Sequence, residues 1–241
     1  MSHTGFARLD SDEFSDEQML DLELEDRHAL GGSEPPFGAR RAFLLVAVNI
    51  GFNFNSFLQL VVIVPSRLAE LAGDAHKGQA VGSVLLCAGI VSIFAAPPIG
   101  SLSDRMPWSP RLGRRAPLIL VGAVLGALTN AMMLRAQTVG EFALWYSLLT
   151  VASLLTSVPF NALTMDVVPA DARGFASGAI GSAQHGGNLI GALVSLRYAE
   201  FSPGALAALM AAMLVGGALV TALGNREPPP PPPPPPRAGE P

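Results

Sequence analysis

The chain has 241 residues, of which half are apolar and only 14% charged, and its mean hydropathy is positive at +0.41. That is too apolar for an ordinary water-soluble domain and predicts an all-α membrane protein. The net charge of −4 says little about partners, since ten of the nineteen acids fall within residues 1–40, and the basic residues sit at the edges of apolar segments, which gives nucleic-acid binding no support.

Residues 1–39 alternate acids with scattered Leu and Phe, most densely from Asp10 to Asp26. Self-repulsion and low apolar content predict a disordered acidic cytoplasmic tail. Phe14, Met19, Leu20 and Leu22 offer at most a brief amphipathic turn for a sorting partner. The tail lacks a basic start followed by an apolar core, so no cleavable signal peptide is expected and the first membrane helix must direct insertion. Gly31 to Pro36 break the chain ahead of that helix.

Six apolar segments follow, near residues 42–64, 79–100, 117–134, 141–164, 172–196 and 203–223. A hydrocarbon layer about 30 Å thick takes about 20 helical residues to cross, so each is read as a membrane span within a domain covering residues 40–225. Cys87 lies inside the second and is expected to pack in the interior; a single cysteine forms no disulfide framework. Thr138 and Glu141 read as a capping box, Asp171 as an N-cap, and Ser202-Pro203 as an N-cap with proline at the first helical position. Connections are short, so neighbouring helices must run antiparallel.

The turn from Gly100 to Arg115 holds four arginines and one aspartate between two uncharged segments. Cytoplasmic loops collect Lys and Arg. With the N-terminus inside, eight basic residues (Arg40, Arg41, Arg105, Arg111, Arg114, Arg115, Arg173, Arg226) fall on the inner side. Four (Arg67, Lys77, Arg135, Arg197) fall on the outer side, which places both termini in the cytoplasm.

Within that turn Gly100, Asp104, Arg105, Gly113, Arg114 and Arg115 resemble the signature loop between the second and third helices of the major facilitator superfamily. The insertion of Met106 to Leu112 is similar to the sucrose-transporter and glycoside-pentoside-hexuronide symporter branch. Pro159 to Gly178, running into Gly187 to Gly191, is similar to that branch's junction of fourth and fifth helices. The resemblance implies one six-helix half, a 3+3 inverted repeat, of a secondary transporter working by alternating access. It implies a cytoplasmic gate of Asp104 and the arginines, with Asp166 and Arg173 close by. Nothing resembles helices seven to twelve, so a second half is expected from a homodimer partner or another chain. The glycine spacings Gly174-x-x-x-Gly178 and Gly187-x-x-x-Gly191 allow close helix approach.

Polar side chains in a span are costly unless they face protein or a wet cavity. At about 100° per residue, Tyr146, Thr150, Ser153, Ser157, Asn161 and Thr164 share an arc of roughly 80° on the fourth span. Asn49, Asn53 and Ser56 form a shorter stripe on the first, and Ser177, Gln184, Asn188 and Ser195 one on the fifth. The stripes are expected to line a cavity that hydrogen-bonds a small polar solute such as a sugar. The competing expectation for single Ser and Thr is a bond to the carbonyl four residues back. Candidate cavity residues are Asn49, Asn53, Tyr146, Thr150, Ser153, Gln184, His185 and Asn188. His185 could carry a proton; no acid sits at mid-membrane depth, and coupling to H+ or Na+ stays open.

Nine consecutive prolines, Pro228 to Pro236, form the core of a proline-rich tail over residues 226–241. They predict an extended polyproline II rod, read as a spacer in preference to an SH3-type docking motif. No Ser-His-Asp set, metal-ligand cluster or phosphate-cradling loop occurs, so neither an enzyme nor a cofactor is expected. The alternative to a transporter is a non-transporting regulatory fragment that associates with a full-length relative.

Overall fold

A computed structural model describes residues 38–110 and 112–225. The expectations for the acidic tail, for Arg111 and for the proline run lie outside the described residues. Six long helices make up the rest: α1 Ala39–Ala72, α2 Lys77–Arg105, α3 Ala116–Met133, α4 Val139–Val167, α5 Arg173–Ser195 and α6 Pro203–Gly224.

Two helices run further than the sequence predicts. The first was expected over residues 42–64, and Pro65 follows, whose ring clashes with the carbonyl four residues back in a regular helix. Instead Leu58–Ile63 widens into a π turn, and the helix continues through Pro65 to Ala72. A π turn spaces hydrogen bonds five residues apart and makes room for the ring. α2 likewise passes through Pro97 and Pro98 and ends at Arg105.

Helix ends follow local chemistry with one exception. Thr138 Oγ1 accepts from the Glu141 amide at 3.1 Å, and the Glu141 carboxylate accepts from the Gln137 amide at 2.9 Å, one residue earlier than a capping box requires. Ser202 caps α6 ahead of Pro203 as expected. Asp171 is a correction: it lies in the 3-10 turn Ala170–Ala172, and α5 starts from Ala172 without a side-chain cap.

Five of the described helices are long and apolar enough to cross a membrane: α1, α2, α3, α4 and α6. α5 occupies the expected position but falls short, since Ser177, Ser182, Gln184, His185 and Asn188 dilute its apolar residues.

The principal packing partners run in the order α2, α4, α3, α6, α1, α5. α1 sits between α5 and α6, and a core of Phe54, Leu58, Ile63, Leu68, Met133, Phe142 and Met210 fills the space around it. Close approach depends on small residues. A Cβ at Gly187 of α5 would run into the Ile50 carbonyl of α1, and Gly191 lies against the Phe57 ring, whereas Gly174 and Gly178 face open space.

Buried amides fasten the same bundle. Gln59 Nε2 donates to Asn130 Oδ1 at 2.9 Å, Asn130 Nδ2 to Asn55 Oδ1 at 3.2 Å, and Asn55 Nδ2 to the Gly51 and Met210 carbonyls at 2.9 and 3.1 Å. This chain of bonds ties α1 to α3 and α6. Thr221 of α6 adds another tie: its hydroxyl donates to the Leu45 carbonyl and accepts from the Val48 amide. Cys87 is a second correction, for it is exposed on α2, the least covered of the candidate spans, and not packed inside.

Candidate solute cavity and charge junction

α1 and α4 face one another across a cavity of about 160 Å³ that α5 reaches with Gln184. From α1 come Val48, Asn49, Phe52 and Asn53; from α4 come Thr156, Ser157, Phe160 and Asn161. The two walls repeat one pattern: a polar residue, then a phenyl ring three residues on, then an amide. At about 1.5 Å per residue the cavity lies roughly 12–18 Å from the helix ends on the Arg115 face, nearer that face than the other. No lining residue is charged.

Helix geometry settles most of the polar side chains. Thr150, Thr156 and Thr164 each donate to the carbonyl four residues back, at 3.0, 3.2 and 3.0 Å. Asn53 Nδ2 does the same to the Asn49 carbonyl at 2.9 Å, leaving its oxygen for other donors. Asn49 is different: it is only 8% exposed, and its buried Nδ2 has no acceptor among the described residues. A buried donor without a partner costs about 1–3 kcal/mol, and this one belongs to a residue that lines the recess.

Of the cavity residues expected from the sequence, Asn49, Asn53 and Gln184 line the recess. Tyr146 is half-buried against the core, its ring stacked on Phe142 with centroids 6.4 Å apart. Thr150, Ser153 and Asn188 are half-buried and His185 is exposed, and none of them lines it. Phe52 and Phe160 were not singled out from sequence, because apolar residues in an apolar span carry no signal. Their shared signal is the recurring Phe-Asn pair, Phe52-Asn53 and Phe160-Asn161.

The second constellation joins three helix ends. Arg115, just ahead of α3, donates through Nε to Asp166 Oδ2 at 2.7 Å at the end of α4. Through Nη1 it reaches Asp104 Oδ1 at 3.1 Å and Ser103 Oγ at 3.3 Å at the end of α2. Its side chain is 8% exposed. Burial works against its charge, but the hydrogen bond and charge of Asp166, then those of Asp104, outweigh this and hold the guanidinium above the ordinary arginine range. Arg114 lies 3.8 Å from Asp166 and donates to the Asp104 carbonyl at 3.4 Å.

Gly113 makes the turn possible. Its φ of +72° suits glycine, and it pairs with Ser109 through bonds of 2.8 and 3.1 Å in both directions. Gly100 faces α4 with room around it. Arg105 and Arg173 are exposed and form no ion pair with a described residue. The structure therefore joins Asp104, Arg114, Arg115 and Asp166, and leaves Arg105 and Arg173 outside the cluster.

A family model described as Major Facilitator Superfamily matches residues 39–241. The chain belongs to that superfamily. Facilitator proteins are membrane transporters rather than enzymes, and this one is a multi-pass membrane protein of apolar helices. Among its relatives is the sucrose transport protein SUC4 of Arabidopsis thaliana, 30% identical over 152 residues that take in 56% of this chain. The match spans only 29% of that relative's length. It agrees with the sucrose-symporter branch implied by the insertion between Arg105 and Gly113.

Proposed function

We propose that residues 40–225 form one six-helix half of a secondary transporter, with residues 1–39 and 226–241 as tails, and that the cavity between α1 and α4 binds an uncharged polar solute, sugar-like in chemistry. The observation that carries this is the lining. Phenyl rings from Phe52 and Phe160 offer faces for C–H surfaces, while Asn49, Asn53, Asn161 and Gln184 offer donors and acceptors for hydroxyls. No charge is present to favour an ion. The relative's printed name, a sucrose transport protein, supports the same class.

A cavity of about 160 Å³ is small beside the roughly 300–1,000 Å³ of complete small-molecule sites. A second six-helix bundle, from another copy or another chain, is proposed to supply the remaining wall and to meet the polar residues of α5. The mirrored neighbour order of the helices supports a 3+3 inverted repeat of the kind found in this superfamily. The Arg115 junction is proposed to lie at the cytoplasmic side, with both termini, and to hold the α2, α3 and α4 ends together as the gate. The described acids sit at helix ends and in turns, so a coupling proton would be bound by His185 or by the second bundle, and a sodium ion by the second bundle.

Uptake of labelled sucrose and simple glycosides into vesicles holding the purified, correctly inserted chain tests the proposal. Saturable uptake that falls with Asn49→Leu is expected. Insertion without uptake or binding of any solute leaves the regulatory-fragment reading in its place.

A further inference from the structure

The helix neighbour order relates the ends on the Arg115 face to those on the opposite face. Exchanging α1 with α4, α2 with α5 and α3 with α6 turns the packing order α2, α4, α3, α6, α1, α5 into its own reverse. That exchange carries the Arg115 junction, where the α2 end, α3 start and α4 end meet, onto the meeting of the α5 end, α6 start and α1 end. At the first junction the arginine is met by two carboxylates and a hydroxyl of the chain itself.

The second junction is left open. Arg67, near the end of α1, pairs with Glu70 on its own helix and donates through Nη2 to the Ala136 carbonyl at 3.0 Å. Its Nε–H is buried with no acceptor among the described residues. Beside it is a recess of about 200 Å³ walled by Glu70, Tyr198 and Phe201 over a floor of Leu134 and Leu206. The Ser66 hydroxyl, which donates to the Val62 carbonyl at 2.6 Å, lies 3.5 Å from the Tyr198 hydroxyl, so that ring sits beside α1.

We infer that this recess binds the headgroup of a zwitterionic phospholipid, with the phosphate on Arg67 and the ammonium between Glu70 and the rings of Tyr198 and Phe201. Depth is the first reason. Arg67 bonds Ala136, three residues past the apolar span α3 that ends at Met133, which is the level where hydrocarbon gives way to headgroups and where tyrosine collects. Charge is the second. The Arg67 guanidinium lines the recess and is about one-fifth exposed, and a phosphate oxygen gives such a cation a strong charge-assisted bond. A purely anionic headgroup would meet repulsion from Glu70, whereas an ammonium gains both that carboxylate and the aromatic faces. The site is separate from the α1–α4 cavity and does not depend on which solute, if any, that cavity carries.

Native mass spectrometry of the purified full chain tests this, using phosphatidylethanolamine, phosphatidylcholine and phosphatidylglycerol with the same acyl chains. One ethanolamine or choline lipid should be retained in preference to the glycerol lipid. Arg67→Gln and Glu70→Gln should each weaken retention about tenfold, the loss of one charge-assisted bond, while Arg135→Gln on the same face leaves it unchanged. Tyr198→Ala and Glu70→Gln alter the rim, so they decide the matter even where Arg67→Gln fails to fold. Equal retention of the glycerol lipid, or unchanged retention in the rim variants, overturns the inference. So does displacement of the lipid by sucrose, which would make the recess a second solute site.

Discussion

At the scale of single residues, Asn49 and Arg115 show opposite ways of burying a polar group. Asn49 keeps an unmet donor in the cavity wall, so Asn49→Leu should cut solute binding by about tenfold yet raise stability by about 1 kcal/mol, read by equilibrium binding and by thermal unfolding in detergent. A drop in both would make the amide a packing residue. Arg115 is met by two carboxylates and a hydroxyl, and its acidic partners are unequal because Asp166 is one-third exposed and Asp104 mostly exposed. Asp166→Asn should therefore cost about 1–3 kcal/mol, because the buried guanidinium loses its shorter carboxylate bond and keeps Asp104, and Asp104→Asn below about 1 kcal/mol. The raised arginine value means that its stabilising share is complete at every pH below the unfolded arginine's value. It is lost only as pH rises through the folded one, so varying pH between 5 and 9 should not titrate this arginine out of the cluster.

At the scale of elements, the close crossing of α5 on α1 is the most easily broken. Gly187→Val would drive a side chain into the Ile50 carbonyl, and the backbones must part. A loss of about 1–3 kcal/mol is expected, with Gly178→Val, in open space, as the near-neutral control in the same unfolding assay. Asn130→Leu would leave the Gln59 amide without its acceptor and Asn55 without its donor, a comparable loss. The helices themselves were legible from sequence because lengths of apolar residues and local caps such as Thr138 and Ser202 are encoded close to where they act. The first helix runs past its expected end because the Pro65 ring is accommodated by the π turn just ahead of it, which no spacing announces. Cys87 misled because an apolar helix has no polar face to mark which side is covered. The cavity was legible where amides stood out, at Asn49, Asn53 and Gln184, and illegible where phenyl rings did the lining. The motif implied that Asp166 and Arg173 lie near Asp104 and Arg105; the bonds of Arg115 to Asp104 and Asp166, and the exposure of Arg105, depend on helix rotation.

At the scale of the whole molecule, α5 presents two unlike faces. Ala176, Ala183, Gly187 and Gly191 are buried against the bundle, while Ser177, Ser182, Gln184 and His185 are exposed. Hydrocarbon contact with that second face would strip several amide and hydroxyl groups of partners. Under the proposed two-bundle assembly, a cysteine at Ser182, in a chain with Cys87→Ser, should cross-link to the partner bundle in membranes with a short bifunctional reagent. Labelling of that cysteine by a lipid-soluble maleimide, without any cross-link, would count against the assembly.

The uncovered sulfhydryl on α2 has a practical corollary. It is the chain's one thiol, so a polarity-sensitive fluorophore can be attached at a single point of the native sequence. Its emission would be blue-shifted and quenched by brominated acyl chains where α2 borders lipid, and shielded from that quenching where another bundle packs there. The wild-type molecule thus already carries the reporter needed to follow its own assembly.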